Sequence, residues 1–203
     1  MLGVAMTGAG KNERHEHDFY PTEPAATVAL LENHPYFSKP EAMSAMIHEP
    51  ACGDGAISKV LVERNLGVYS TDLIDRGYGL SGIDFLINGT DHPVIITNPP
   101  FYLAEEFIRK ALECGCDHVF MLLKSTFFHA RKRQGLFEDT CLRSVLPLTF
   151  RLDWTGQGQP TMECSWYHWH KGYMGLPVYG PLLHKPKGMA ENLDRCKNTL
   201  DLF

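Results

Sequence analysis

The chain has 203 residues, 44% of them hydrophobic, which is typical of one globular domain with a sizeable core. Its formal net charge of -5 disfavours a protein that coats nucleic acid non-specifically. The net charge does not exclude an enzyme that acts on nucleic acid, because the distribution of charge over the surface matters more than its sum. The apolar runs are too short to span a membrane and no basic segment of a signal peptide opens the chain, so we expect a cytoplasmic protein without a membrane partner.

Six cysteines are scattered along the chain, and their spacing predicts reduced thiols. Cys114 and Cys116 lack a second pair at zinc spacing. His168 and His170 alternate in a predicted strand, but they lack a third ligand. We therefore predict no metal site.

The first predicted element is a helix that follows a loose N-terminal arm. Residues 1–17 are rich in glycine and then in charge, and we expect them to be flexible. Thr22 is a suitable N-cap, and Pro24 falls in the first turn, where its missing N–H costs nothing. The helix is expected over residues 25–31, with His34-Pro35 ending it.

A strand over residues 46–48 runs into the glycine-rich turn of residues 49–55, and Ile57, Val60 and Leu61 then repeat at helical spacing. This is the entry of a βαβ unit, where glycines allow a ligand to approach the backbone closely. The phosphate-binding pattern of spaced glycines is not met, and Glu49 and Asp54 flank the turn instead. Carboxylates suit a nucleoside ligand with a cationic amine, so S-adenosylmethionine is favoured over a dinucleotide.

Two acidic positions follow downstream. Gly67 is expected to close the helix, and residues 68–71 form the second strand. Asp72 stands at the end of that strand, about 20 residues after the glycine turn, where an acid accepts hydrogen bonds from a ribose diol. Asp84 could receive the amino group of an adenine ring, with Phe85 packed on its face. The alternative for this pair is a surface turn with a buried aromatic ring.

The apolar run Val94–Thr97 predicts a buried strand that ends in Asn98-Pro99-Pro100-Phe101. Two prolines forbid a continuing strand or an immediate helix, so the turn is stiff. It offers a side-chain amide, carbonyls that no ladder N–H can take, and an aromatic face. We interpret it as a receptor for a flat molecule that bears an amino group. The structural alternative is a rigid link from a strand to a helix.

The rest of the chain continues the alternation of helices and strands. Residues 103–112 carry an apolar helical face, and residues 118–123 predict another buried strand. The basic segment at 131–133 lies in or before a helix that ends near Thr140. Residues 145–152 and 164–169 are the last predicted strands. The pattern predicts an α/β fold with a mostly parallel central sheet flanked by helices, and functional loops at the strand C-termini.

A nucleic-acid surface is suggested by clustered cations and an aromatic run. The candidates are Lys124, Arg131, Arg133, Arg151 and Trp166. The alternative for the cations is a solvated helix face. The alternative for the aromatic run of residues 166–170 is an edge strand whose aromatic side chains alternately enter the core.

In this order the motifs resemble the class I S-adenosylmethionine-dependent methyltransferases, and within them the DNA adenine-N6 amino-methyltransferases of phage type. The resemblance covers roughly residues 18–172 and implies a Rossmann-like methyltransferase domain over residues 18–175, with S-adenosyl-L-methionine as cofactor. The catalytic turn that it implies is Asn98, Pro99, Pro100 and Phe101. The cofactor-binding positions are Phe19, Tyr20, Thr22, Glu49, Ala51, Gly53, Gly55, Asp72, Leu73, Asp84 and Phe85.

The resemblance implies methylation of the exocyclic N6 amine of adenine in DNA, with a flipped-out base held at the Asn98 turn. The alternatives are N-methylation of RNA adenine or of a protein glutamine, and a non-catalytic adaptor for DNA or a clamp. The chain is short, so little of it remains for a separate domain that recognises the target sequence.

Residues 176–203 are predicted to be a C-terminal tail. Its end, Leu200-Asp201-Leu202-Phe203, resembles the short peptide with which bacterial replication proteins dock on the sliding clamp, through Leu200, Leu202 and Phe203. The alternative is a C-terminal helix packed on the domain. If the protein is phage-encoded, the bacterial host cytoplasm is its expected location.

Overall fold

The computed structural model describes residues 19–153, 160 and 162–187. The predicted arm of residues 1–17 and the clamp-like residues Leu200, Leu202 and Phe203 therefore lie outside the described residues. Seven strands form the sheet: β1 (Met46–Glu49), β2 (Gly67–Ser70), β3 (Val94–Thr97), β4 (His118–Lys124), β5 (Leu142–Pro147), β6 (Cys164–His170) and β7 (Val178–Tyr179).

Helices flank this sheet. They are α1 (Pro24–Asn33), α2 (Pro40–Ser44), α3 (Ala56–Glu63), α4 (Phe85–Asn88), α5 (Ala104–Glu113) and α6 (Gln134–Glu138), with short 3-10 turns at Pro35–Ser38, Phe101–Leu103 and Arg131–Arg133. Within the described ranges, no helix has the length and apolar character needed to cross a membrane.

The strands lie in the order β2-β1-β3-β4-β6-β5-β7, and β6 alone runs antiparallel to its neighbours. This confirms the predicted α/β fold with a mostly parallel sheet. The chain moves from β1 to β2 on one side, and β3 then pairs with the other side of β1. The strand order therefore reverses between β1 and β3, which is where open α/β sheets bind ligands, outside the strand C-termini.

Two apolar layers cover the two faces of the sheet. Ile96, Phe120 and Trp166 point into a layer shared with α1 and α3, whereas Ile95 and Met121 point into a layer shared with α5. Successive residues of a strand face opposite ways, so strands covered on both faces are apolar throughout. Every residue of β3 is buried, which explains why its sequence shows no alternation.

Several boundaries differ from those expected. Gly67 begins β2, and the turn after α3 is made by Asn65, whose φ is 59°. β5 ends at Pro147, because Leu148 and Leu152 beyond it make only isolated bridges.

The segment predicted as a tail from residue 176 also contributes to the fold. Val178–Tyr179 pair with β5, and the side chain of Leu183 is fully buried. The folded domain therefore continues past residue 175. A strand of two residues is too short to show a recognisable sequence pattern, so its pairing was not predicted.

Trp166 was predicted to contact nucleic acid, and this is wrong. β6 lies between β4 and β5, so it is not an edge strand, and the Trp166 side chain is fully buried. Its indole Nε1 donates to the carbonyl oxygen of Ala26 at 2.9 Å, which joins α1 to the sheet. The neighbouring Tyr167 and Trp169 are also fully buried, so the large aromatic rings of this strand belong to the core and cannot form an outer wall.

Replacing Trp166 with Phe should lower the free energy of unfolding by about 1–3 kcal/mol, because it removes a buried hydrogen bond and leaves unfilled volume. Urea denaturation measures this loss. An unaltered unfolding midpoint would contradict the core assignment.

Candidate functional site

A pocket opens at the point where the strand order reverses. Its lining includes ten of the eleven positions predicted to bind a cofactor, and Gly55 is the exception. Asn98 and Pro100 of the predicted catalytic turn also line it, whereas Pro99 and Phe101 do not. The pocket thus brings together residues 19–22 and the loops after β1, β2 and β3, which are far apart in the sequence.

The two glycines of the first loop make room for aromatic rings. Gly53 and Gly55 have φ values of 56° and 81°. A Cβ on Gly53 would lie 2.4 Å from the Phe19 ring, and a Cβ on Gly55 would lie 2.5 Å from the Tyr78 ring. These glycines therefore make room for two aromatic side chains, and the expected close approach of a ligand to their backbone stays a prediction.

Asp72 holds the first two loops together. Its Oδ2 accepts from the Gly53 N–H and its Oδ1 accepts from the Ile74 N–H, both at 2.8 Å. A carboxylate oxygen can accept more than one hydrogen bond. Asp72 is half-buried and lines the pocket, so it can also accept from the hydroxyls of a ligand.

The acidic residue before α4 has a structural partner as well. Asp84 caps α4, its Oδ1 accepting from the Leu86 N–H at 2.9 Å. Phe85 is 2% exposed and packs against Phe107, with ring centroids 5.1 Å apart. The turn therefore has the buried aromatic ring that the structural alternative predicts. Leu73, which also lines the pocket, is 55% exposed and offers an apolar surface.

Glu49 is a buried acid in the lining of the pocket. Its side chain is 1% exposed, and the hydroxyl of Ser58 donates to its Oε2. Burial raises the pKa of Glu49 well above its usual value, and the nearby Asp54 and Asp72 carboxylates raise it further. The group therefore favours its protonated form, whereas a cation placed beside it would favour the carboxylate.

Asn98 is oriented by hydrogen bonds to the segment before α1. Its Nδ2 donates to the carbonyl oxygen of Tyr20 at 3.2 Å and to Thr22 Oγ1 at 3.1 Å. A carbonyl can only accept, so the amide nitrogen must face Tyr20. Asn98 Oδ1 is buried and has no hydrogen-bond partner within the described residues.

Thr22 therefore does not cap the first helix as we expected. The N-cap of α1 is Glu23, and no side chain caps this end. The Thr22 hydroxyl orients Asn98 instead, across a separation of 76 residues.

An aromatic pair lies beside Asn98. The Tyr20 and Phe101 rings stack with centroids 5.5 Å apart and planes 28° from parallel. Lys124 Nζ, at the C-terminal end of β4, lies 5.1 Å from the Phe101 ring centroid. Pro99 is buried behind the turn.

The other predicted nucleic-acid cations are placed differently. Arg133 Nη1 donates to the carbonyl oxygen of Phe127 at 2.7 Å, and its guanidinium lies over the Phe127 ring. Arg151 forms an ion pair with Glu163 at 2.7 Å. Arg131 is exposed. The structure thus brings Lys124 to the site, while Arg133 and Arg151 have partners within the protein.

Arg76 lines the pocket although no sequence motif predicted it. It is the only lysine or arginine in the lining formed by the described residues, and its guanidinium lies 4.1 Å from the Phe19 ring centroid. It sits four residues after Asp72, in a loop whose path no local pattern predicts. Its position beside an acidic motif was the one available signal.

No group of three or more histidine, cysteine, aspartate or glutamate side chains in the described part of the chain could hold a metal ion. The polar and aromatic groups that the described residues bring to the site are carboxylates, one guanidinium, one oriented amide and aromatic rings.

Replacing Glu49 with Gln should remove a pH dependence of stability. The carboxyl titrates near pH 4.3 in the unfolded chain, roughly, and higher in the folded chain. The folded state therefore keeps a proton that the unfolded state releases, and this contribution to stability is lost as the pH rises above the unfolded value. Gln cannot ionise, so the variant does not lose this stability. The unfolding free energy of the variant minus that of the parent should therefore increase from pH 5 to pH 7.

Urea denaturation at several pH values measures this difference. Glu113→Gln, at an exposed position, is the matched control. Parallel stability curves for the parent and Glu49→Gln would show that the buried carboxyl does not retain its proton.

Comparisons with known sequences and structures bear on the fold. No protein-family model and no curated protein matches the chain by sequence. A proposed RNA methyltransferase from Pyrococcus horikoshii is structurally similar, with a TM-score of 0.55, 15% identity and coverage of 72% of this chain and 83% of that one. A proposed class I S-adenosylmethionine-dependent methyltransferase from Listeria monocytogenes has a TM-score of 0.54, 15% identity and coverage of 90% and 72%.

A third similar structure is the modification subunit of a proposed type I restriction enzyme from Vibrio vulnificus. Its TM-score is 0.53 and its identity 15%, and the match covers 90% of this chain but only 53% of that one. At such identities the similarity establishes the fold alone. The chain has the fold of the class I S-adenosylmethionine-dependent methyltransferases.

Proposed function

We propose that this protein is an S-adenosylmethionine-dependent methyltransferase that methylates the N6 amine of adenine in DNA. One observation carries the proposal. Asn98 lines the pocket, its Oδ1 is buried and without a partner in the described structure, and its amide is oriented by Tyr20 and Thr22. An amine N–H that approaches this oxygen would satisfy it.

The pocket fits S-adenosylmethionine better than a dinucleotide. Its lining contains Asp54, Asp72 and Asp84 beside the buried Glu49, and the carboxylates among them would repel a pyrophosphate. A cationic amine, a ribose diol and an adenine amine are the partners that such acids suit. Bound there, S-adenosylmethionine supplies a methyl group on a positively charged sulfur.

Arg76 would hold the one anionic group of this cofactor, its carboxylate. The guanidinium is the only cation in the described lining, and a carboxylate needs a charged donor there. Arg76 would thus pair with the carboxylate, while the acidic residues of the lining would favour the cationic amine.

The Asn98 turn would act on the amine of the methyl acceptor. The lone pair of an exocyclic adenine amine is delocalised into the ring, so this nitrogen is a poor nucleophile. A hydrogen bond from its N–H group to Asn98 Oδ1 would favour a pyramidal, more reactive nitrogen. Positioning the amine in line with the methyl group supplies much of the remaining rate.

The aromatic pair favours a nucleobase as the acceptor. Tyr20 and Phe101 offer flat surfaces next to Asn98, and Lys124 adds a positive charge at the same edge of the sheet. Extracting a base from a duplex costs a few kcal/mol, and stacking on an aromatic ring returns roughly 1–3 kcal/mol. RNA adenine is the second candidate, because the same surfaces would accept it.

Replacing Arg76 with Ala should weaken binding of S-adenosylmethionine by about tenfold or more, because a charge-assisted hydrogen bond is worth roughly 1.5–3 kcal/mol. Binding of the decarboxylated cofactor should change much less. Calorimetric titration measures the loss of affinity for each ligand. Loss of the contact between Arg76 and Phe19 affects both ligands alike, so it cancels when the two losses are compared.

Lys59→Ala is the control for this variant, because Lys59 stacks on Tyr78 nearby but does not line the pocket. Equal losses for both ligands in Arg76→Ala would assign Arg76 a structural role only.

The substrate is tested by supplying tritiated S-adenosylmethionine with duplex DNA, single-stranded DNA, RNA and cell protein in parallel. We expect label in N6-methyladenine from DNA. Label confined to RNA or protein would overturn the DNA assignment while retaining methyl transfer. Cofactor binding without label in any polymer would indicate a non-catalytic adaptor.

Asn98→Ala is the matched catalytic variant. It should retain cofactor affinity and lose methyl transfer by about 100-fold, the usual scale for removing one oriented polar group at a reacting centre. Asn98→Asp keeps an acceptor oxygen and should retain more activity than Asn98→Ala. If Asn98→Ala turned over at a rate close to that of the parent, the proposed role of the turn would be wrong.

A further inference from the structure

A second cleft lies at the end of the strands opposite to the cofactor pocket, and it takes no part in the proposed methyl transfer. It opens at the N-terminal ends of β4 and β5 and at the C-terminal end of the antiparallel β6. Its volume is about 240 Å³, and a cavity of about 150 Å³ already accommodates benzene. The cleft is therefore large enough for a small organic ligand.

Four imidazole rings form the inner wall. His118 and His170 face each other across β4 and β6, with ring centroids 4.4 Å apart and planes 13° from parallel. His118 Nδ1 and His168 Nε2 share a hydrogen bond of 3.0 Å, and His34 meets the His168 ring edge-on at 4.7 Å. Burial lowers the pKa of His34 and of His118 to about 4, so these rings are neutral at pH 7.

Several polar atoms of this wall are unsatisfied. His168 is 1% exposed and Ser144 is 7% exposed, and their Nδ1 and Oγ atoms have no hydrogen-bond partner among the described residues. The same holds for His170 Nδ1. An unsatisfied buried polar group costs roughly 1–3 kcal/mol, and apolar side chains would fill the same space without that cost. The wall is thus suited to a polar ligand.

The rim of the cleft is positively charged. Arg143 and Lys39 are exposed and line it, and Arg143 lies near enough to lower the pKa of all four histidines. The acids close to this wall are Asp117, which precedes β4, and Glu41, and neither is in the lining. Asp117 pairs with Lys171 at 3.7 Å. A negatively charged ligand is therefore favoured.

An aromatic surface completes the cleft. The Tyr36 ring lies 4.1 Å from the His118 ring, and both line it. Two cations, imidazole nitrogens and a serine hydroxyl can together satisfy a group with several acceptor oxygens, which a phosphate has and an alcohol or amide lacks.

We propose that this cleft binds a small phosphate-bearing molecule, with Arg143 and Lys39 holding the phosphate and the histidine wall contacting the rest. The site is separate from the cofactor pocket, because the two lie at opposite edges of the sheet. It does not depend on the substrate of the methyl transfer.

Inorganic phosphate and adenosine 5′-monophosphate are the probes, each titrated while the imidazole signals of His34, His118, His168 and His170 are followed by NMR. Saturating S-adenosylhomocysteine occupies the cofactor pocket, so that the nucleotide cannot report from there. We expect saturable shifts of these signals in the millimolar range or below. Tenfold tighter binding of the nucleotide would identify a nucleotide as the ligand class, and equal affinities would identify phosphate itself.

Arg143→Gln and Lys39→Gln should each weaken binding at least fivefold. Lys171→Gln removes a cation at the same edge of the sheet that does not line the cleft, and it should leave affinity unchanged within twofold. Both rim residues are exposed, so the variants should fold, and their unfolding midpoints verify this. Absence of saturable shifts with either probe, or equal affinity in the parent and the rim variants, would overturn the proposal.

Discussion

The site depends on one set of hydrogen bonds, those from the Asn98 amide nitrogen to Tyr20 and Thr22. They fasten the segment before α1 to the turn after β3. They also point the Asn98 oxygen away from the protein's own acceptors. Without them the amide could rotate, and the turn would present a donor as readily as an acceptor. The same contact places the Tyr20 ring against Phe101, so the aromatic surface and the oriented oxygen are set together.

The pocket on the other side of this contact is shaped by packing between loops. Phe19 and Tyr78 occupy the space that Cβ atoms would take at Gly53 and Gly55. Asp72 accepts from backbone N–H groups on both sides and fixes the distance between the first two loops. A cluster of acids close to one another is unfavourable in the protein alone, and burial of Glu49 in its protonated form relieves part of that repulsion. A cationic ligand would reverse this preference.

The two edges of the sheet have different chemistry. The C-terminal edge gathers carboxylates, an oriented amide and aromatic rings, which suit a cofactor with positive charge. The N-terminal edge of β4 and β5 gathers neutral imidazoles under two cations, which suits an anion. Antiparallel β6 contributes to this second edge because its direction brings His168 and His170 to the start of β4.

Local patterns in the sequence were enough to predict the alternation of strands and helices, the mostly parallel sheet, and the motifs that meet at the C-terminal ends of its strands. This was possible because buried strands, glycine turns and a double-proline turn follow local rules. Tertiary structure alone decided that Trp166 is in the core, that Val178–Tyr179 join the sheet, and that Thr22 orients Asn98 instead of capping a helix. It also decided the place of Arg76 and the meeting of four histidines from α1's end, β4 and β6. Each of these depends on contacts between distant segments, and the position of a strand within a sheet is not encoded in the pattern of that strand alone.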